Sequence, residues 1–139
     1  MENKIKETEN GIVVTPDQAS IEVVASYVEE TLEKSEVAMR DGYKINIALD
    51  ELYSNIVRYS GASEAKVSCV ADEHTVTLHL QDNGVPFDPT AKEDADMEQL
   101  AEEEQIGGRG IFLVKKLMSK MTYCYENGYN ELTVKLQRM

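Results

Sequence analysis

Apolar residues recur at helical spacing in three stretches of the chain and at strand-like density in five. Ile21, Val24, Ala25, Val28 and Leu32 fall on one face of a helix. Thr15-Pro16-Asp17-Gln18 reads as its start, with Thr15 capping, Pro16 in the first turn and Gln18 completing a capping box; the end falls near Lys34. Ile45, Leu49, Leu52, Ile56 and Tyr59 form the stripe of a second helix over about 40–59, which Gly61-Ala62 closes. Ile111, Val114, Leu117, Met118 and Met121 point inward from a third over about 111–120. Residues 11–15, 65–71, 75–80, about 122–126 and 129–137 read as strands. Asp72-Glu73-His74 joins the middle pair, and Asn127-Gly128, a strong hairpin signal, joins the last.

The order is strand, helix, helix, hairpin, loop, helix, hairpin. Helices gathered on one face of a mixed, mostly antiparallel sheet make an α+β two-layer sandwich. Residues 1–10 are polar and charged and read as a flexible tail, leaving 11–139 as a single domain. Residues 82–89 are a loop by composition. The stretch that follows is acidic, with Glu93, Asp94, Asp96, Glu98, Glu102, Glu103 and Glu104, and reads as a solvated segment.

Composition narrows the function. With 26 acidic against 14 basic residues the formal charge is −12, and no basic stripe offsets it, which argues against nucleic acid as a partner. The longest strongly apolar run is 111–114, against roughly 20 residues for a membrane helix. No apolar stretch follows Met1-Glu2-Asn3-Lys4, so the expectation is a cytoplasmic protein with no secretory signal and no membrane partner. The two cysteines, Cys69 and Cys124, are far apart and read as buried structural thiols. The two histidines, His74 and His79, have no serine or cysteine signature beside them, so a catalytic triad has little to build on. An anionic ligand would have to be held by local donors against the global field.

Three constellations carry candidate chemistry. Glu51 and Asn55 are four apart on the second helix and point the same way, with Arg58 continuing the polar flank. A carboxylate there can take a proton from a hydroxyl, and an amide oxygen suits Mg²⁺. Alone, the pair is also the border of any amphipathic helix. Asp82-Asn83-Gly84-Val85-Pro86-Phe87 places a carboxylate at a strand end, able to accept from a buried amino group, with a glycine that lets backbone approach a flat ligand. Alone, it is also turn chemistry. Gly107-Gly108-Arg109-Gly110 opens a helix and exposes N–H groups that favour an anion. No Gly-Lys-Ser/Thr exists, and no G-x-G-x-x-G follows a strand, so Walker and Rossmann readings fail.

Together and in this order, the three resemble the boxes of the GHKL (Bergerat-fold) ATPase superfamily. Glu51-x-x-x-Asn55 looks like the N box, Asp82-x-Gly84-x-Pro86-Phe87 like the G1 box and Gly108-x-Gly110 like the G2 box. The segment at about 88–107 takes the place of the ATP lid, and Thr133 matches a threonine often found near the adenine-binding Asp. Chain length and the lack of a histidine-phosphotransfer helix pair point within the superfamily to the small anti-sigma-factor serine/threonine kinases. Their G2 segment resembles Gly-Gly-Arg-Gly-Ile-Phe-Leu-Val-Lys-Lys here.

The resemblance implies a Bergerat-type sheet and ATP with Mg²⁺ as ligands. It implies Glu51 as general base and Asn55 as the Mg²⁺ ligand. Asp82 would bind the adenine amino group with Thr133 beside it. Arg58, Gly84, Pro86 and Phe87 would complete the pocket, and Gly107, Gly108, Arg109 and Gly110 would cradle the phosphates. The implied partners are a STAS-domain anti-anti-sigma protein, phosphorylated on serine, and a sigma factor, with the kinase a homodimer. One departure is Ile106, which stands where some family kinases carry an arginine that reaches the terminal phosphate. It leaves open an ATP-gated binding module without phosphoryl transfer.

Overall fold

The computed structural model describes residues 5–8, 11–90 and 108–139. Its elements are β1 (Ile5–Thr8), β2 (Gly11–Val14), α1 (Ser20–Lys34), α2 (Met39–Asn55), β3 (Ala65–Ala71), β4 (Thr75–Asp82), α3 (Gly108–Leu117), β5 (Lys120–Glu126) and β6 (Tyr129–Gln137). A single π-helical turn, Ile56–Ser60, extends α2. The strands form one sheet in the order β1-β2-β3-β4-β6-β5, and every neighbouring pair is antiparallel. The α+β architecture expected from the pattern is present.

Strand alternation decides where the core sits. Val67 and Cys69 of β3, Val76, Leu78 and Leu80 of β4, and Val134 and Leu136 of β6 are buried on one face. They pack with Val24, Val28 and Leu32 of α1, Ile45, Leu49 and Leu52 of α2, and Val114 of α3. Each such side chain contributes about 1.5–3 kcal/mol by leaving water. Tyr53 is 1% exposed, and its hydroxyl shares a 2.6 Å hydrogen bond with Ser20 Oγ that ties α2 to the start of α1. Burial pushes the Tyr53 hydroxyl up to about 12.

Several local expectations are corrected. Part of the expected tail, Ile5–Thr8, is a strand paired with β2; a short strand with charged residues suits a sheet edge. The first helix starts at Ser20, not at Thr15-Pro16. Asp17 Oδ1 accepts from Ser20 N–H at 2.9 Å and Ser20 Oγ accepts from Asp17 N–H at 3.1 Å, so the reciprocal pair lies two residues later than the expected Thr15–Gln18 box, in the turn leading into α1. Cys69 is buried, but Cys124 is exposed on edge strand β5. The Asn127-Gly128 hairpin forms as expected, with φ of 56° and 83°. Among the described residues no helix is long and apolar enough to cross a membrane.

Candidate functional site

The site grows from the C-terminal end of β4. Alternation that buries Val76, Leu78 and Leu80 also carries Asp82 to the helix-facing side, where it is 6% exposed. Burial of a carboxylate disfavours its charge. Its pKa is accordingly raised, chiefly by desolvation, against the opposing pull of the Gly84 N–H and the Asn130 side chain. Both bonds fall on Oδ1: Gly84 N–H at 2.9 Å and Asn130 Nδ2 at 3.2 Å. Oδ2 has neither, and is left for a donor in the adjoining cavity.

That cavity holds about 220 Å³ and lies between the sheet, the end of α2 and the start of α3. Leu80, Ile111 and Leu132 wall it, with Ile56, Val85 and Phe87 towards the mouth. Asn55 lines it from α2 and Tyr123 from β5. Val85 and Phe87 are about half-exposed, so the rim is apolar and open. Apolar walls with one anchored carboxylate suit a flat heteroaromatic ring that carries an amino donor.

Two glycines shape the surroundings by close approach. A Cβ on Gly84 would collide with the Ser60 carbonyl and lie 2.6 Å from Ser60 Cβ. The neighbouring Val85 N–H donates to that same carbonyl at 2.9 Å. Gly84 therefore lets the loop lean on the π turn; it is not among the residues that line the cavity. A Cβ on Gly110 would fall on the Glu51 carboxylate, 2.9 Å from its Cδ. The bare glycine lets Glu51 lie against the first turn of α3, one helical turn from Asn55.

The structure thus brings together Asp82, Pro86, Phe87 and Asn55 around the cavity, and Glu51 with Gly110 beside it. Two expected residues lie elsewhere. Thr133 pairs with His79 in register and accepts or donates a 2.8 Å bond with His79 Nδ1 on the opposite face of the sheet. Alternation forces this, since Asn130 and Leu132 of the same strand face the cavity. Arg58 is exposed on the π turn and does not line the cavity. Gly108 is the first residue of α3; Gly107, Ile106, the side chain of Arg109 and most of the expected lid lie outside what is described.

Asn130 and Tyr123 were missed. Asn130 is 6% exposed and sits opposite Asp82 in the strand pairing. Its Oδ1 accepts from Phe87 N–H at 3.0 Å and from the Tyr123 hydroxyl at 2.5 Å. Its Nδ2 donates to Asp82 and, at 2.9 Å, to Val85 O. No sequence signal marked either residue: the Asn-Gly hairpin sets the β5–β6 register, whereas Asn130 meets Asp82 through the β4–β6 register.

The profile of the histidine kinase-like ATPase domain matches residues 14–136. A serine/threonine-protein kinase, BtrW of Bordetella bronchiseptica, is 26% identical over 129 residues, covering 85% of this chain and 91% of that protein. The serine-protein kinase RsbW of Listeria monocytogenes is 29% identical over 118 residues, 75% of each chain. Among solved structures, the SiaB-SiaC complex of Pseudomonas aeruginosa contains a chain similar in fold, with a TM-score of 0.53 at 12% identity, covering 99% of this chain and 89% of that one. The Acinetobacter baumannii histidine kinase AdeS gives 0.52 at 16% identity, covering 99% and 68%. With a family profile spanning nearly its whole length, and with the three boxes its sequence resembles, the chain belongs to the histidine kinase-like ATPase domain family.

Proposed function

We propose that the chain is an ATP-dependent serine/threonine protein kinase of a partner-switching pathway. It acts on a serine of a STAS-domain anti-anti-sigma protein and sequesters a sigma factor, as a cytoplasmic homodimer. The observation that carries this reading is Asp82: a buried carboxylate with Oδ1 anchored and Oδ2 left towards a cavity walled mainly by apolar side chains. That is the donor–acceptor chemistry of adenine, with one amino group on a ring that stacks against aliphatic walls. The serine kinases among its relatives support the enzyme class.

ATP supplies the phosphoryl group to be transferred, and Mg²⁺ offsets its charge. Asp82 accepts from the adenine amino group, while Leu80, Ile111 and Leu132 exclude water from the ring. The Asn55 amide oxygen suits Mg²⁺, and the N–H groups opening α3 at Gly108 favour phosphate. Glu51, seated against Gly110, takes the proton from the substrate hydroxyl. Replacing Glu51 by Gln should leave ATP binding unchanged and lower transfer to a purified STAS-domain protein by roughly 10²–10⁴-fold, the usual contribution of a general base. Undiminished transfer would contradict the role of Glu51.

A second reading is an ATP-gated binding module without transfer, favoured by Ile106 just ahead of the G2 glycines. Phosphoserine formed stoichiometrically on the STAS protein eliminates it.

A further inference from the structure

Asn130 is a residue with two hydrogen-bonding ends, both committed. Its Oδ1 accepts from Phe87 N–H at 3.0 Å and from the Tyr123 hydroxyl. Its Nδ2 donates to Asp82 Oδ1 at 3.2 Å and to Val85 O at 2.9 Å. Donors lie on one side and acceptors on the other, so the amide has one orientation that satisfies all of them. Aspartate has the shape without the donors, leucine has neither end, and glutamine is a methylene too long. The residue also ties three pieces together: β4 through Asp82, the loop through Val85 and Phe87, and edge strand β5 through Tyr123.

The consequence falls on Asp82. A carboxylate oxygen offers about two lone-pair sites. Oδ1 of Asp82 has both filled, by Gly84 N–H at 2.9 Å and by Asn130. One oxygen remains for a ligand. Adenine presents a single exocyclic amino donor beside a ring acceptor and needs one oxygen. Guanine presents two adjacent donors, a ring N–H and an amino group, which pair with both oxygens of a carboxylate side by side. Guanine would bring two donors to a carboxylate with one oxygen free, and a hydrogen bond left unmade in a cavity walled mainly by apolar side chains is costly.

We infer that Asn130 is a specificity-determining positioning residue, which by occupying Asp82 Oδ1 and fixing the 84–87 loop makes the site select adenine over guanine nucleotides. The inference rests on the reading of the cavity as an ATP site and adds to it the residue that sets base choice. Asn130 acts through Asp82 and the loop; it need not touch the nucleotide.

The test is calorimetric titration of the wild type, Asn130→Ala and Asn130→Leu with Mg²⁺–ATP and Mg²⁺–GTP, with melting curves for each. Asn130→Leu keeps the shape with neither hydrogen-bonding end and adds no charge beside Asp82, and serves should Asn130→Ala melt too low. The wild type should prefer ATP by on the order of 100-fold, and the variants should narrow the ratio to about tenfold or less, the range of one hydrogen bond to a charged group. Carbon-13 titration of the Asp82 carboxyl in free Asn130→Ala should show its midpoint moving up, because a donor to the charged form is gone. A folded variant that keeps the wild-type ATP/GTP ratio overturns the inference and leaves the ATP site standing. A wild type that binds neither nucleotide overturns both.

Discussion

Two residue pairs on the same two strands, three positions apart, meet opposite fates. Asp82 pairs with Asn130, and His79 pairs with Thr133, in one continuous β4–β6 register. Each pair makes a side-chain hydrogen bond, 3.2 Å inside and 2.8 Å outside. The inner pair is buried under the helices at a cavity, and burial raises the Asp82 pKa. The outer pair lies on the face opposite the helices, where the His79 side chain keeps 31% of its exposure. An odd number of residues along a strand is thus enough to move a hydrogen-bonded pair from the cavity to the outer surface. Hydrogen-bonding capacity does not make the site; the face it is presented on does.

The difference can be broken at its support. Gly84→Ala puts a methyl against the Ser60 carbonyl and within 2.9 Å of Asp82 Oδ1. The backbone partner has little room to yield, so the variant should lose about 1–3 kcal/mol in denaturant unfolding. A melt indistinguishable from wild type would mean the loop does not lean on the π turn.

The inner pair also responds to pH. The Asp82 pKa is raised in the folded state, so the folded protein holds that proton more tightly than the unfolded chain. The stabilising contribution of the protonated carboxyl is complete below the unfolded value, about 4, and is lost as pH rises through the raised folded value. Asp82→Asn removes this group, so its stability relative to wild type should increase as pH climbs through that window. Paired melts across the window check it, and a constant difference would contradict the burial of Asp82. Nucleotide binding should run the other way in wild type, weakening as pH falls and the acceptor is protonated.

The smallest effect belongs to the outer face. Thr133→Val breaks only the bond to His79, so ATP affinity should stay within about twofold, and stability should change by about 0.5–1.5 kcal/mol. Calorimetry that found ATP binding abolished would return Thr133 to the site.

Much of this was legible from residue pattern. The stripes of Ile45, Leu49 and Leu52 and of Val114 and Met118 gave helices that bury those residues, and Asn127-Gly128 gave the closing hairpin. The Asp82, Asn55 and Glu51 neighbourhood followed from box spacing. What was not legible depended on relations between segments. Thr133 was placed by resemblance, but its facing is set by register with β4, which a motif does not encode. Asn130 belongs to no box, and its role exists only once β6 lies against β4 and β5 brings Tyr123 within reach. The start of α1 differs because Pro16 is locally compatible with a first turn, whereas the Asp17–Ser20 exchange closes a turn there and the helix begins at Ser20.

Everything proposed for the site depends on Asp82 receiving the base of ATP. The direct measurement is the melting temperature of wild type and Asp82→Asn with and without Mg²⁺–ATP. Wild type at about 100 times the dissociation constant should gain roughly 2.7 kcal/mol, a shift of several degrees, and Asp82→Asn should gain nothing. An equal shift in the variant would contradict the account.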